Sequence, residues 1–204
     1  MKQALIILAI LCTHRIAQAQ ATIGILVGFN GTDLRSEQFE NTSSRKGYAF
    51  GGIIDFGLYE NFEFRVMPLF SQKGNDVAGP IPIEFKLDYF EVPALLKYTL
   101  TETRVAPYVM GGLSFGLLLR ANVKTPVSFG VGTGEELFKD IDVGSSFGAG
   151  IRFRFSKYLF FLEGRYTSGI ANINEDFNRL GFTTDIKSRA FQIGIGILFP
   201  PKRD

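Results

Sequence analysis

The sequence predicts an all-β fold: an eight-stranded, antiparallel, up-and-down transmembrane β-barrel with short periplasmic turns and long external loops. Three observations predict it. From residue 20 onward apolar residues recur at every second position; the alternating stretches number eight; and the segments joining them are alternately short, and long and polar. A period of two belongs to strands, and an even strand count to closed bacterial barrels.

The first stretch sets Ile23, Ile25, Val27 and Phe29 on one face against Thr22, Gly24, Gly28 and Asn30. The second, Tyr48 to Leu58, sets Phe50, Ile54, Phe56 and Leu58 against Ala49, Gly51, Asp55 and Gly57. In the third, Phe62 to Lys73, Phe62, Phe64, Val66 and Phe70 oppose Glu63, Arg65, Met67 and Ser71. The fourth, Lys86 to Tyr98, alternates Phe90, Val92, Ala94, Leu96 and Tyr98 with Tyr89, Glu91, Leu95 and Lys97. Pro93 lies inside it and removes a ladder donor, so a local irregularity is expected there. The fifth, Ala106 to Ala121, carries Val109, Leu113, Phe115, Leu117 and Leu119 against Met110, Gly112, Ser114, Gly116 and Arg120. The sixth, Asp142 to Phe155, alternates Phe147, Ala149, Ile151, Phe153 and Phe155 with Gly144, Ser146, Gly148, Gly150, Arg152 and Arg154. In the seventh, Phe160, Leu162, Tyr166 and Ile170 oppose Glu163, Arg165 and Thr167; in the eighth, Phe191, Ile193, Ile195, Ile197 and Phe199 oppose Gln192, Gly194 and Gly196.

Tyr59 to Asn61, Thr99 to Val105 and Ser156 to Tyr158 are the short connections. Gly31 to Gly47, Gly74 to Phe85, Asn122 to Ile141 and Ala171 to Asp185 are the long ones. Short turns on the periplasmic side and longer loops outside are the topology of outer-membrane barrels.

Periodicity leaves open which face points outward, so a soluble lipocalin-like ligand-binding barrel, apolar inside, is the rival fold. Three features favour the membrane. The polar face is rich in glycine, which on an exposed strand weakens pairing but in a narrow lumen leaves room for long side chains. The strands reach the roughly 9 to 11 residues that cross a bilayer at a tilt. Aromatic residues recur near strand ends, at Tyr48, Tyr59, Phe62, Tyr98, Tyr108, Tyr158 and Phe199, as interfacial girdles require.

The N-terminus is read as a secretory signal, with residues 1–19 cleaved and residues 20–204 forming the barrel domain. Lys2 precedes an apolar run from Ala4 to Cys12, and Ala17 and Ala19 form the small-x-small pattern before Gln20. The run is shorter than the roughly 20 residues of a spanning helix. Leu11 before Cys12, with Ala9 three before it, departs from a lipoprotein signal. Without Lys2 and Arg15 the basic and acidic residues stand equal at 20 each, so the mature net charge is zero and composition supplies no case for nucleic acid.

Cys12 and His14, the single cysteine and histidine, leave with the signal. Nucleophile–histidine catalysis is thereby excluded from the mature chain, the usual soft metal ligands are gone, and neither cofactor nor metal is expected. Glu135-Glu136 and Glu175-Asp176 are the remaining carboxylate pairs and read as solvated loop residues. Gly130-Val131-Gly132-Thr133-Gly134 lacks a following Walker lysine and reads as a loop. No enzymatic chemistry is expected.

Four blocks carry a family resemblance: Asp88-Tyr89-Phe90-Glu91-Val92-Pro93-Ala94-Leu95-Leu96-Lys97-Tyr98, Pro107-Tyr108-Val109-Met110-Gly111-Gly112-Leu113-Ser114-Phe115-Gly116, Gly148-Ala149-Gly150-Ile151 and Glu163-Gly164-Arg165-Tyr166. Together they resemble the PorT-like outer-membrane β-barrel family. The resemblance implies a small outer-membrane barrel, and the family's namesake assists protein secretion across that membrane. Gln192-x-Gly194-x-x-Ile197-x-Phe199 is similar to the last-strand signal read by the outer-membrane assembly machinery, here made internal by Pro200 to Asp204.

Eight strands enclose an interior about wide enough for side chains to fill. The inward set Asp55, Glu63, Arg65, Glu91, Lys97, Arg152, Arg154, Glu163 and Arg165 holds both signs, so a lumenal salt-bridge plug is expected, with a narrow gated ion path along the same residues as the alternative. The partners expected are outer-membrane lipid, the assembly machinery during insertion, and secretion-system or surface partners through the four long loops.

Overall fold

In a computed structural model, the structure describes residues 21–35, 42–77, 83–124, 140–170 and 187–201. The cleavage residues Ala17, Ala19 and Gln20, the glycine-rich stretch 130–134 and both loop carboxylate pairs lie outside them. The described chain forms β1 (Ala21–Arg35), β2 (Thr42–Tyr59), β3 (Phe62–Val66), β4 (Leu69–Val77), β5 (Ile83–Thr99), β6 (Val105–Lys124), β7 (Ile141–Phe155), β8 (Tyr158–Gly169) and β9 (Lys187–Phe199).

Every neighbouring pair is antiparallel, and β1 pairs with both β2 and β9, which closes the sheet into a ring. Closure is the physical answer to lipid, because hydrocarbon offers nothing to an unpaired backbone N–H or C=O. Cross-strand partners followed once around, from Ile23 through Ile54, Val66, Ala94, Leu113, Ser145, Ser168 and Arg189, return to Asp33. That stagger, from 23 to 33, tilts the strands and, with their number, sets the bore.

β3 and β4 are one barrel strand, so the ring has the expected eight. Both halves pair with β2 and with β5 in unbroken register: Val66 stands opposite Ile54 and Ala94, Leu69 opposite Gly51 and Glu91. Two prolines make the gap. Met67 N donates to Pro93 O at 3.0 Å, but Pro93 has no N–H to return; Gly52 N donates to Pro68 O at 3.0 Å, and Pro68 has none either. The irregularity expected in β5 at Pro93 therefore appears in the facing strand, while β5 runs through.

Two expectations about loops and faces need correction. Strand pairing extends far into the segments read as loops: β1 and β2 still pair at Thr32 and Arg45, and β4 and β5 at Val77 and Ile83. Backbone pairing continues into polar sequence because a ribbon anchored at its base needs no apolar face to keep its ladder. Arg120 does not point inward. The register between β5 and β6 steps from Asp88↔Arg120 to Tyr89↔Leu118, leaving Leu119 as an extra residue. This bulge reverses the phase, so Ala121 is buried and Arg120 exposed.

The apolar face is the outer one. Phe29 and Phe147 retain 67% and 62% of their surface, amid an uninterrupted belt that includes Ile25, Val27, Leu113, Phe115, Leu162, Ile193 and Ile195. A belt this extensive exceeds what soluble monomers expose, which removes the lipocalin-like alternative. Near the short turns the belt ends in aromatics, with Phe62 against Tyr98 at 4.7 Å and Tyr158 edge-on to Phe199 at 5.8 Å. Tyr108, counted among the girdle from its position near a strand end, is instead buried in the lumen, because its even number in β6 places it with Ala106 and Met110. The tight turns after β2 and β7 put Glu60 and Ser156 at φ 42° and 55°, left-handed values that close each hairpin in two residues.

Candidate functional site: the lumen

The inward residues build two polar clusters at different depths. The first lies toward the short turns and centres on Arg65, which has no solvent exposure. Its Nε and Nη2 donate to the two carboxylate oxygens of Asp55 at 2.7 and 2.8 Å, and Nη1 donates to Glu163 Oε2 at 2.7 Å. Asp55 is directly across the β2–β3 ladder from Arg65, which makes the two-pronged contact a consequence of register. Lys97 Nζ reaches Asp55 at 2.6 Å and Glu63 at 2.8 Å, and Arg152 approaches Glu63 at 3.6 Å. Tyr108 donates its hydroxyl to Glu163 at 2.8 Å, and the Arg65 guanidinium lies 5.4 Å from the Tyr108 ring centre and 5.5 Å from that of Phe161. Three cations thus meet three carboxylates, a balance that buried charges require.

The second cluster lies toward the long connections. Lys73 Nζ stands 3.2 Å from Glu91 and 3.5 Å from Asp142, and Arg165 Nη2 stands 3.8 Å from Glu91. Ser114 donates to Glu91 at 2.7 Å, and Arg165 also bonds the side-chain oxygen of Gln192. Asn30 donates to Ser71 at 2.9 Å, and Ser146 and Thr167 share a hydrogen bond of 2.7 Å. Among the described residues, the cations Lys73 and Arg165 here meet the carboxylates Glu91 and Asp142.

Around the clusters the lumen is apolar. Leu26, Ile53, Met67, Leu69, Leu95, Met110, Phe161 and Leu198 are all buried. The lumenal glycines make room for bulky neighbours at some positions and for the backbone of the adjacent strand at others: a Cβ on Gly150 would lie 2.5 Å from the Tyr108 hydroxyl, and one on Gly51 would strike the Pro68 carbonyl. Their role is wider than the space for Arg and Glu that the sequence suggested.

Of the nine residues singled out in the sequence, Asp55, Glu63, Arg65, Lys97, Arg152 and Glu163 meet in the first cluster, and Glu91 and Arg165 in the second. Arg154 joins neither; it is exposed at the periplasmic mouth, where Glu60, Glu63, Glu102, Arg152, Arg154 and Lys157 line an open cavity of about 530 Å³. Lys73, Asp142 and Tyr108 escaped sequence reading. Parity was the signal that would have found them, since each shares its face with an assigned inward neighbour.

The residues of the last-strand motif occupy the seam. Gln192 and Gly194 face the lumen, Ile197 and Phe199 point outward, and all lie in β9, paired on both sides with β8 and β1.

Among solved structures, the fold is similar to that of Neisserial surface protein A, at TM-score 0.55 and 18% identity over 88% of this chain and 97% of that one. Similarity extends to the attachment invasion locus protein Ail of Yersinia pestis, at TM-score 0.46 and 14% identity over 88% and 99% of the two chains. It extends also to the outer membrane protein AlkL, at TM-score 0.43 and 13% identity over 89% and 92%. No curated protein matches. The family model described as the outer membrane protein beta-barrel domain matches residues 16–175. The closed ring, the outward apolar belt and this match place the protein in the outer membrane of a Gram-negative bacterium, and the chain belongs to the outer membrane protein beta-barrel domain family.

Proposed function

We propose that this barrel is non-enzymatic, that its lumen is a closed plug, and that it acts through its external connections as a structural, adhesive or secretion-accessory protein. The observation that carries this reading is Arg65, fully buried and tied at once to Asp55 on one wall and Glu163 on the opposite one. A bore crossed by such a bridge offers no diffusion path. Recognition then falls to the long polar segments between β1 and β2, β4 and β5, β6 and β7, and β8 and β9. The blocks Asp88–Tyr98 and Pro107–Gly116 support a PorT-like member, for which a secretion-accessory role is the specific form of the proposal.

Purified barrel in planar bilayers tests the plug: no stable conductance is expected, and persistent open steps would favour the gated ion path along the same charged residues. A deletion strain whose secreted proteins are compared with the parent's separates the secretion-accessory role from the structural and adhesive ones.

Two further readings concern biogenesis. The mature chain starts at Gln20, after Ala17 and Ala19, and intact-mass measurement of the purified protein is expected to show that start; a species retaining Met1 would overturn it. Gln192, Gly194, Ile197 and Phe199 serve as the assembly signal. Phe199→Asp is expected to reduce the membrane yield of heat-modifiable barrel severalfold, because it places a charge where the assembly machinery and the lipid interface meet an aromatic. An unchanged yield would count against the signal.

A further inference from the structure

At the periplasmic end the bore opens into a cavity of about 530 Å³, a volume in the range of small-ligand sites. Its deeper part is made by Glu63 and Arg152, whose charged groups stand 3.6 Å apart. Above them the lining carries four further charges, all exposed: Glu60 in the β2–β3 turn, Glu102 in the β5–β6 turn, Arg154 near the end of β7 and Lys157 in the β7–β8 turn. Among the described residues, the side chains of Glu60, Glu102 and Arg154 make no ion pair or hydrogen bond, and Lys157 lies 5.3 Å from the Tyr158 ring centre.

Topology sorts these charges by sign. Half of the eight-strand ring separates the β2–β3 turn from the β7–β8 turn, so the two face one another across the mouth. The β5–β6 turn adjoins the first of them, with Thr99 N donating to Asn61 O at 3.0 Å. Glu60 and Glu102 therefore make an acidic arc, and Arg154 and Lys157 a basic one with Glu60 opposite. Arg104, in the same turn as Glu102, does not line the cavity. On the remaining side Leu198, Pro200 and Pro201 supply an apolar stretch between the arcs. An anionic ligand here meets Glu60 and Glu102, and a cationic one meets Arg154 and Lys157. Only a molecule with opposite charges at its two ends satisfies both arcs at once.

We propose that the periplasmic mouth binds a short peptide with free ends, its carboxylate held by Arg154 and Lys157 and its ammonium by Glu60 and Glu102. A guanidinium presents parallel donors that match a carboxylate. Thr22, Asn61 and Ser156 also line the cavity and offer hydroxyl and amide groups to a peptide backbone, while small apolar side chains fit against Leu198 and the two prolines. The site is independent of the external connections and gives the barrel a ligand on its other side.

The test titrates trialanine, trialanine amide and N-acetyl-trialanine into the isotopically labelled full-length barrel in phosphatidylcholine nanodiscs, with dissociation constants taken from backbone amide shifts. Trialanine is expected to bind, with shifts concentrated in the three short turns. Capping either end is expected to weaken binding about fivefold, the scale of exposed charge pairs. Arg154→Gln/Lys157→Gln is expected to weaken trialanine by about the same factor and to leave trialanine amide unaffected. Glu60→Gln/Glu102→Gln is expected to weaken trialanine and to leave N-acetyl-trialanine unaffected. Heat-modifiable mobility establishes that each variant is folded. Absence of trialanine binding, equal affinity for the capped and uncapped peptides, or a double variant that weakens all three peptides alike would overturn the proposal.

Discussion

The two halves of the lumen contain the same chemistry at different tightness. Toward the periplasm, Arg65, Lys97, Asp55 and Glu163 make contacts of 2.6 to 2.8 Å, and Arg65 is gripped by two carboxylates and two aromatic rings. Toward the exterior, the ion pairs of Lys73 and Arg165 with Glu91 and Asp142 stretch from 3.2 to 3.8 Å. Among the described residues, three buried atoms of that half, the Tyr89 hydroxyl, Arg165 Nε and Gln192 Nε2, have no hydrogen-bond partner. Register contributes to the difference, beside the equally short reaches of Arg65 to Glu163 and of Lys97 to Asp55 between strands that are not neighbours. Asp55 and Arg65 are direct cross-strand partners, as are Glu63 and Lys97, so the ladder itself sets their spacing. In the outer cluster Leu69, not Lys73, stands across from Glu91, so the Lys73 side chain must reach along the bore.

The largest expected effect breaks the tight half. Arg65→Met leaves Asp55 and Glu163 buried with less compensation, and a loss of about 3 to 5 kcal/mol in unfolding free energy is expected from urea titration of the refolded barrel in lipid vesicles. Combining it with Glu163→Gln, which leaves Lys97 and Arg152 facing Asp55 and Glu63 and keeps an acceptor for the Tyr108 hydroxyl, is expected to recover part of that loss, since the remaining charges balance. A loss of less than 1 kcal/mol in the single variant would remove the contrast between the halves.

Next in size is a contrast between neighbours in sequence. Val66 faces lipid where Arg65 faces the bore, and Val66→Arg is expected to cost about 2 to 4 kcal/mol near the midplane. Cysteines introduced singly at 64 and 66 of the barrel and labelled with a fluorophore are expected to be quenched by lipid-borne quenchers, and cysteines at 63 and 65 are not. Quenching at all four positions, or at none, would contradict the assignment of faces.

The smallest effect belongs to the loose half. Glu91→Gln keeps the Ser114 contact and leaves Lys73 beside Asp142 and Arg165 beside Gln192, so a loss of about 1 to 3 kcal/mol is expected in the same titration. A loss equal to that of Arg65→Met would show that distance is no guide to coupling in this bore.

Alternation with a period of two determined the strands, their even number and which residues share a face, because in a strand parity alone sorts residues between the two faces until a bulge intervenes. Glu63, Arg65, Glu91, Lys97, Glu163 and Arg165 were legible for that reason. Lys73 and Asp142 obey the same parity and were overlooked at strand ends where polar sequence resembles loop. Composition likewise determined the absence of cysteine and histidine after Gln20. Only the tertiary structure decided the rest. Leu119 reverses the face of Arg120, because a bulge adds a residue without changing composition. The gap between β3 and β4 arises from Pro68 and Pro93 standing beside one another on neighbouring strands. Which carboxylate meets which cation depends on the stagger of the closed ring, a sum over eight interfaces that no single strand encodes. The same closure sets β9 beside β1, so that Ile193 and Ile195 from the far end of the chain stand across from Phe29 and Val27.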